Sequence, residues 1–395
     1  AASALLMAPP SSWSDIPLEL AGLVLRRLPA NVDRVRFAAV CPQWRAAARE
    51  VTLPSPLPLL ALPDGTVYSL PGSEPLRFPG CTGYADACGN WLAFSTEEGC
   101  FLSDPFSNAT VTLPQLSRLQ APCHRGGRLV SWIEIEEPPE KLTMYKPVFC
   151  SRQLIAIFIT YQYSTKVAVC QPGAASWWSV HVDHRFELTD DMAFHQGKLY
   201  ILNDDDHSLF AMDISVDHRT GAPWICQVRR VISGVLIPRP AIRGICRNEH
   251  QKMLYLVESE SHGTLLMIHR KTYGQGRIGP RWLVAGTFVS SGWEFEVFMA
   301  DFQQSKWTKV TTIGDDQVLF LRRRCSRFIR VSPEDMQGDG IIFLDRDDED
   351  HDWYDHRGSS SDSCKVCDMR DGTVSPFVPS VHFERRSVPA TWLFP

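Results

Sequence analysis

The sequence predicts a mostly β chain, a β-propeller of about six blades preceded by a module of three short helices. Three observations lead there. Short apolar runs separated by polar Gly/Asp turns recur from about residue 57 to the end of the chain. Twenty-five Gly and 28 Pro are spread along the 395 residues, a density of breakers that leaves little room for long helices. Only the first fifty residues carry apolar positions spaced three and four apart, the period of a helix.

The helical module comes first. Ser14 and Asp15 offer side-chain oxygens to a helix start, and Pro17 suits a first turn. Leu20, Leu23, Val24 and Leu28 form one apolar stripe, which Pro29 ends. A second helix is expected from Asp33 to Cys41, and Pro42 opens a third that carries Trp44 and the run Ala46-Ala47-Ala48. Three helices of this length bury too little surface to stand alone. The module therefore needs a partner, either the rest of the chain or another protein.

Residues 1–12 read as a disordered terminus, and 52–58 as a semi-rigid linker stiffened by Pro54, Pro56 and Pro58. The β domain then runs from 59 to 395. Leu59 to Leu62 turns at Pro63-Asp64-Gly65 into Thr66 to Tyr68, and Trp91 to Phe94 turns at 97–99 into Cys100 to Leu102. The same rhythm carries Leu154 to Tyr161 into Lys166 to Cys170, and Lys198 to Leu202 into Leu209 to Met212. It continues through Met253 to Val257, Leu265 to Ile268, Phe295 to Met299, Val318 to Leu321 and Ile341 to Leu344. Runs of this length bounded by turn chemistry are strands. Their spacing over ~320 residues is too extended for one sandwich and fits blades of four strands over roughly 45–55 residues each.

Several function classes are excluded by composition. Forty Lys+Arg against 45 Asp+Glu give a net charge of −5, which supplies no positive field for nucleic acid or an anionic membrane surface. The longest apolar run, 154–161, is far short of the ~20 residues that cross a bilayer. Twelve scattered Cys in a chain this long, with no signal peptide, are expected to be reduced thiols in the cytosol or nucleus.

Ile16-Pro17-Leu18-Glu19-Leu20, then Leu23 to Pro29, then Val40-Cys41-Pro42-Gln43-Trp44 resembles an F-box. It departs from the common pattern at Ile16, which replaces a Leu, at Leu18, which replaces an acid, and in a stretch 30–36 one residue longer. The resemblance implies docking onto a Skp-type adaptor of a cullin–RING ubiquitin ligase through Ile16, Pro17, Leu20, Val24, Leu28, Val40, Cys41 and Trp44. The β domain would then hold a target protein, with no cofactor, no metal and no catalytic residue of its own. Segments 196–200, 256–259, 265–267, 295–321 and 391–395 resemble a plant family in which an F-box precedes a kelch-like propeller. The rival reading is a propeller binding module that acts outside any ligase.

Other motifs carry less. Gly274-Gln275-Gly276-Arg277-Ile278-Gly279 fits G-x-G-x-x-G, but Pro280 follows at once and no helix pattern succeeds it, so a pyrophosphate cradle is not expected. His351, His356, Cys364 and Cys367 look zinc-like; on a strand, however, residues three apart face opposite sides of the sheet. The acidic run from Asp345 to Asp355 lacks the Gly and Glu of a calcium loop. It is expected to be a solvated loop in which Asp350, Trp353 and Tyr354 are candidates for contact with a basic target.

Overall fold

The computed structural model describes residues 12–395 except 54, 73, 97–98, 117, 126–127, 137–141, 162–163, 180–188, 204–205, 218–220, 235–248, 276–288, 324, 334–335, 346–360, 378–381 and 385–389. Helices α1 (Leu18–Arg26), α2 (Asn31–Val40) and α3 (Pro42–Glu50) open the chain. The expected cap at Ser14 and Asp15 belongs instead to a separate 3-10 turn, Trp13–Asp15, whose N-cap is Ser12. Helix α1 starts after Pro17 without a side-chain cap. Helix α2 begins at Asn31, two residues before the expected start. Pro42 does open α3, and the Cys41 sulfur accepts the Trp44 N–H at 3.4 Å as its N-cap.

The strands form six sheets, the six blades of a propeller. Blade 2 runs Asp86–Cys88, Trp91–Thr96, Gly99–Ser103, Thr110–Leu113 from the axis outward, and blades 4 and 5 repeat that order with Thr189–His195 and Glu249–Ser259 innermost. In blade 4, strands Thr189–His195 and Lys198–Asn203 meet through Gln196 and Gly197, both at positive φ. That is the backbone a two-residue hairpin requires, and Gly adopts it without a Cβ penalty.

Two blades depart from the simple order. Blade 3 (Leu142–Ser151, Leu154–Tyr161, Ser164–Cys170, Trp177–Ser179) gains an outer hairpin, Arg118–Arg125 with Arg128–Glu136, which joins Trp177–Ser179 in parallel. In blade 6 the innermost strand, Arg327–Arg330, follows Gln317–Leu321 in sequence, and the chain then passes back to lay Gly340–Leu344 parallel on the other side. The ring closes where Thr391–Leu393 supplies the inner strand of blade 1 beside Leu59–Ala61. Trp392 is fully buried there, its ring 5.2 Å from Phe320 of blade 6.

Six separate apolar cores fill the six gaps between neighbouring blades. Strand alternation makes this possible: Leu92 faces the blade 1 side with Leu59 and Leu393, while Ala93 faces the blade 3 side with Ile155. Middle strands such as Gln317–Leu321 and Gly340–Leu344 are therefore buried on both faces, which explains their unbroken apolar runs. Outer strands such as Pro75–Thr82 are mostly exposed.

A seventh core belongs to the helices. Ala21, Leu25, Phe37 and Ala47 are its buried members. Helices α1 and α3 approach so closely that a Cβ on Gly22 would lie 2.8 Å from the Val51 side chain. Attachment to the propeller runs through Val32 of α2, which packs on the blade 1–2 core, and through Leu57, whose N–H donates to the Pro29 carbonyl at 3.3 Å.

Candidate functional site

Helix α1 is apolar on more than one side. Ala21, Gly22 and Leu25 point into the helical core. Leu20, Leu23 and Val24, spaced one turn apart on the other side, are 53%, 57% and 46% exposed. A helix that is apolar all round is normally enclosed on all sides; here one side is left to water. Val35 and Val40 of α2 and Trp13 ahead of α1 are exposed as well. Six of the eight large exposed hydrophobic side chains among the described residues thus lie in the helical domain, the other two being Val216 and Tyr273.

The eight residues expected to meet an adaptor divide into two groups. Leu20, Val24 and Val40 stand in solvent. Ile16, Leu28 and Trp44 pack on the helical core, and Pro17 and Cys41 are half-buried. Trp44 is held on three sides: its ring lies 4.5 Å from Phe37, its indole N–H donates to the Trp13 carbonyl at 3.0 Å, and its backbone N–H meets Cys41. Trp44 therefore shapes the displayed surface from within, and Cys41 does so as a cap. Trp13, Leu23 and Val35 were not among the expected contacts. Leu23 was legible as part of the stripe, whereas Trp13 and Val35 carry no signal beyond their residue type.

The propeller's axis is bridged at one level by a polar network. Asp86 of blade 2 accepts the Lys146 backbone N–H at 3.1 Å, and Asp191 of blade 4 accepts the Leu256 N–H of blade 5 at 2.8 Å. The Lys146 ammonium of blade 3 meets Asp191 at 2.8 Å and donates at 3.1 Å to the Arg323 carbonyl, which belongs to blade 6 on the far side of the ring. Burial disfavours the lysine's charge, but the Asp191 carboxylate outweighs it and holds the ammonium's pKa above its ordinary value. Burial pushes the Asp191 carboxyl up, opposed by Lys146 and by the Leu256 and Met192 N–H groups. Lys146 thus bridges four blades across the axis, and Asp191 extends the network to a fifth.

Other sequence motifs fall as follows. Cys364 and Cys367 share the strand Ser361–Asp368 but face different cores, the first toward blade 1 and the second toward blade 5. Burial raises the Cys367 thiol to about 12, so it is a neutral core group rather than a thiolate. His351, His356, Asp350, Trp353 and Tyr354 lie outside the described residues, as does most of the 274–279 glycine motif. Trp177 fills the gap between blades 2 and 3, its indole N–H donating to the Pro114 carbonyl at 2.9 Å.

A helical domain that keeps an apolar surface in water, tied to a six-bladed propeller, is an arrangement typical of a recognition protein. An F-box domain profile matches residues 13–55. The KIB1-4 beta-propeller profile matches residues 59–364, and the chain belongs to that family. It is similar to F-box protein SKIP23 of Arabidopsis thaliana, with 33% identity over 95 residues, 24% of this chain and 21% of that protein. The chain thus spans about a fifth of the length of this curated relative. Among solved structures it is similar to Kluyveromyces lactis Hsv2, at 10% identity and a TM-score of 0.26 over 84% of this chain and 95% of that one.

Proposed function

We propose that the chain is the target-recognition subunit of a Skp–cullin–F-box type of ubiquitin ligase, working in the cytosol or nucleus. The carrying observation is the concentration of exposed apolar side chains on the helical domain, centred on Leu20, Leu23 and Val24. Such a patch marks a protein–protein interface, and the F-box match supports a Skp-type adaptor as the class of partner.

The mechanism is positional. The adaptor fixes the helical domain to the ligase, and the propeller holds a target so that a lysine of that target meets the charged conjugating enzyme at high effective concentration. No covalent step is assigned to this chain. The test is co-purification of the full chain with a Skp-type adaptor, comparing wild type with Leu20→Asp/Val24→Asp. Loss of the adaptor with an unchanged propeller melt supports the reading. Equal recovery with both chains sinks it and leaves the module-outside-a-ligase reading in its place.

A further inference from the structure

Lys146 also lines a cavity on the side toward which the inner strands run, about 1150 Å³ in volume. Its wall is made by residues of the inner strands, from Lys146–Phe149 in blade 3 to Arg327–Arg330 in blade 6. Ser55 and Pro56 of the linker stand at the same mouth, so whatever enters is presented on the side where the helical domain is attached.

Most charges in this wall are already engaged. Lys146 is held by Asp191, and the Glu258 carboxylate lies 2.9 Å from His195 Nδ1. Asp104 accepts the Phe106 N–H at 2.9 Å and the Ser107 hydroxyl at 2.7 Å within its own turn. Two guanidiniums remain. Arg327 lies 5.6 Å over the Phe394 ring, Arg330 is exposed, and neither has a carboxylate partner among the described residues. Of the acids in the wall, Glu260 alone is likewise unengaged among the described residues. Across the cavity Trp91 and Phe149 pair at 5.1 Å and offer a half-exposed aromatic surface.

From this arrangement we infer that the cavity takes an acidic peptide segment bearing a large apolar side chain. Its carboxylates pair with Arg327 and Arg330, and its apolar side chain lies against Trp91 and Phe149. A guanidinium matches a carboxylate in two parallel hydrogen bonds, which fixes orientation as well as charge. The volume exceeds the ~300–1,000 Å³ that suits drug-sized ligands, which favours a stretch of chain. The inference rests on the proposed recognition role, because the segment would be the target's.

The probe is a fluorescein-labelled peptide of alternating Glu and Phe, titrated into the full chain and followed by anisotropy. Controls replace every Glu by Gln or every Phe by Ala, and inorganic phosphate is added as competitor at constant ionic strength. Binding should weaken about tenfold or more for Arg327→Gln/Arg330→Gln and for either control peptide, and severalfold between ~50 and ~200 mM salt. Arg330→Gln alone touches no packed group, so a smaller weakening there keeps the test valid if the double variant misfolds. Absent binding, equal binding by the Gln peptide, or full displacement by phosphate overturns the inference, the last by making this a small-anion site. Adaptor capture is measured on the same variants: intact capture with no peptide binding removes the cavity inference alone, and peptide binding without capture removes the ligase reading alone.

Discussion

The helical domain and the propeller treat their apolar residues in opposite ways. The propeller divides its apolar side chains among six inter-blade cores, and middle strands such as Gln317–Leu321 are covered on both faces. The helical domain buries a small core around Ala21, Leu25, Phe37 and Ala47, and leaves Leu20, Leu23, Val24, Val35 and Val40 in water. The propeller closes its apolar residues into its own cores, whereas the helices display theirs. The difference implies that damage to a propeller core lowers stability first, and damage to the helical surface lowers association first.

The largest effect should come from breaking the ring. Trp392→Ala empties a fully buried site between blades 1 and 6 and should cost ~3–5 kcal/mol in chemical denaturation of the propeller. Adaptor capture at a temperature where the variant is folded should be unchanged. A shift under ~1 kcal/mol would mean that the closing strand contributes little to the ring.

Next in size is the helical surface. Leu20→Asp should weaken adaptor capture by ~2 kcal/mol or more, the range of an interface hot spot, while the propeller melt stays within ~0.5 kcal/mol of wild type. Trp44→Ala should differ in kind: it removes the ring packed on Phe37, so limited proteolysis should cut the helical domain faster even without any adaptor. If both variants behave alike in proteolysis, the division between displayed and packed residues is wrong.

A third comparison uses pH. His269 is buried between blades 4 and 5; burial, with Lys252, His207 and Lys271 nearby, lowers its pKa to about 3, against the opposing pull of Glu296 at 3.6 Å. Below pH ~6.5 the unfolded chain takes a proton there that the folded chain refuses. The propeller's stability should therefore fall as pH drops from ~6.5 toward 3, by on the order of 1.4 kcal/mol per unit from this group. Unfolding curves at stepped pH should show that slope, and His269→Gln should flatten it. Leu20→Asp should leave the slope as it is.

The smallest effect concerns the thiols. Cys226 is exposed, whereas burial raises Cys81, Cys150 and Cys367 to about 12. In the folded protein Cys226 should label well ahead of these three, and Cys226→Ser should change stability by less than ~0.5 kcal/mol. Under denaturing, non-reducing conditions all twelve cysteines should react. A deficit recovered only by reductant would contradict the proposed reducing compartment.

Local pattern alone determined a good deal of this protein. Leu154–Tyr161, Lys198–Asn203 and Gln317–Leu321 were legible as strands, because β-branched and aromatic runs closed by Gly/Asp turns have few other uses. The F-box anchors were legible for a similar reason, since Leu-Pro and Cys-Pro-x-Trp set helix ends at short range. Partner choice was not. Thr391–Leu393 pairs with Leu59–Ala61 at the opposite end of the chain, and Arg327–Arg330 lies inside the strand that precedes it. Nothing in the three residues of a closing strand says which edge will receive them, because that edge exists only once the ring has formed. Lys146 and Asp191 look like ordinary surface charges in the sequence, yet they become a buried bridge because the blades converge on the axis. Likewise Leu20 and Trp44 are equally apolar, and only the packing of α1 against α3 decides which is displayed and which is enclosed.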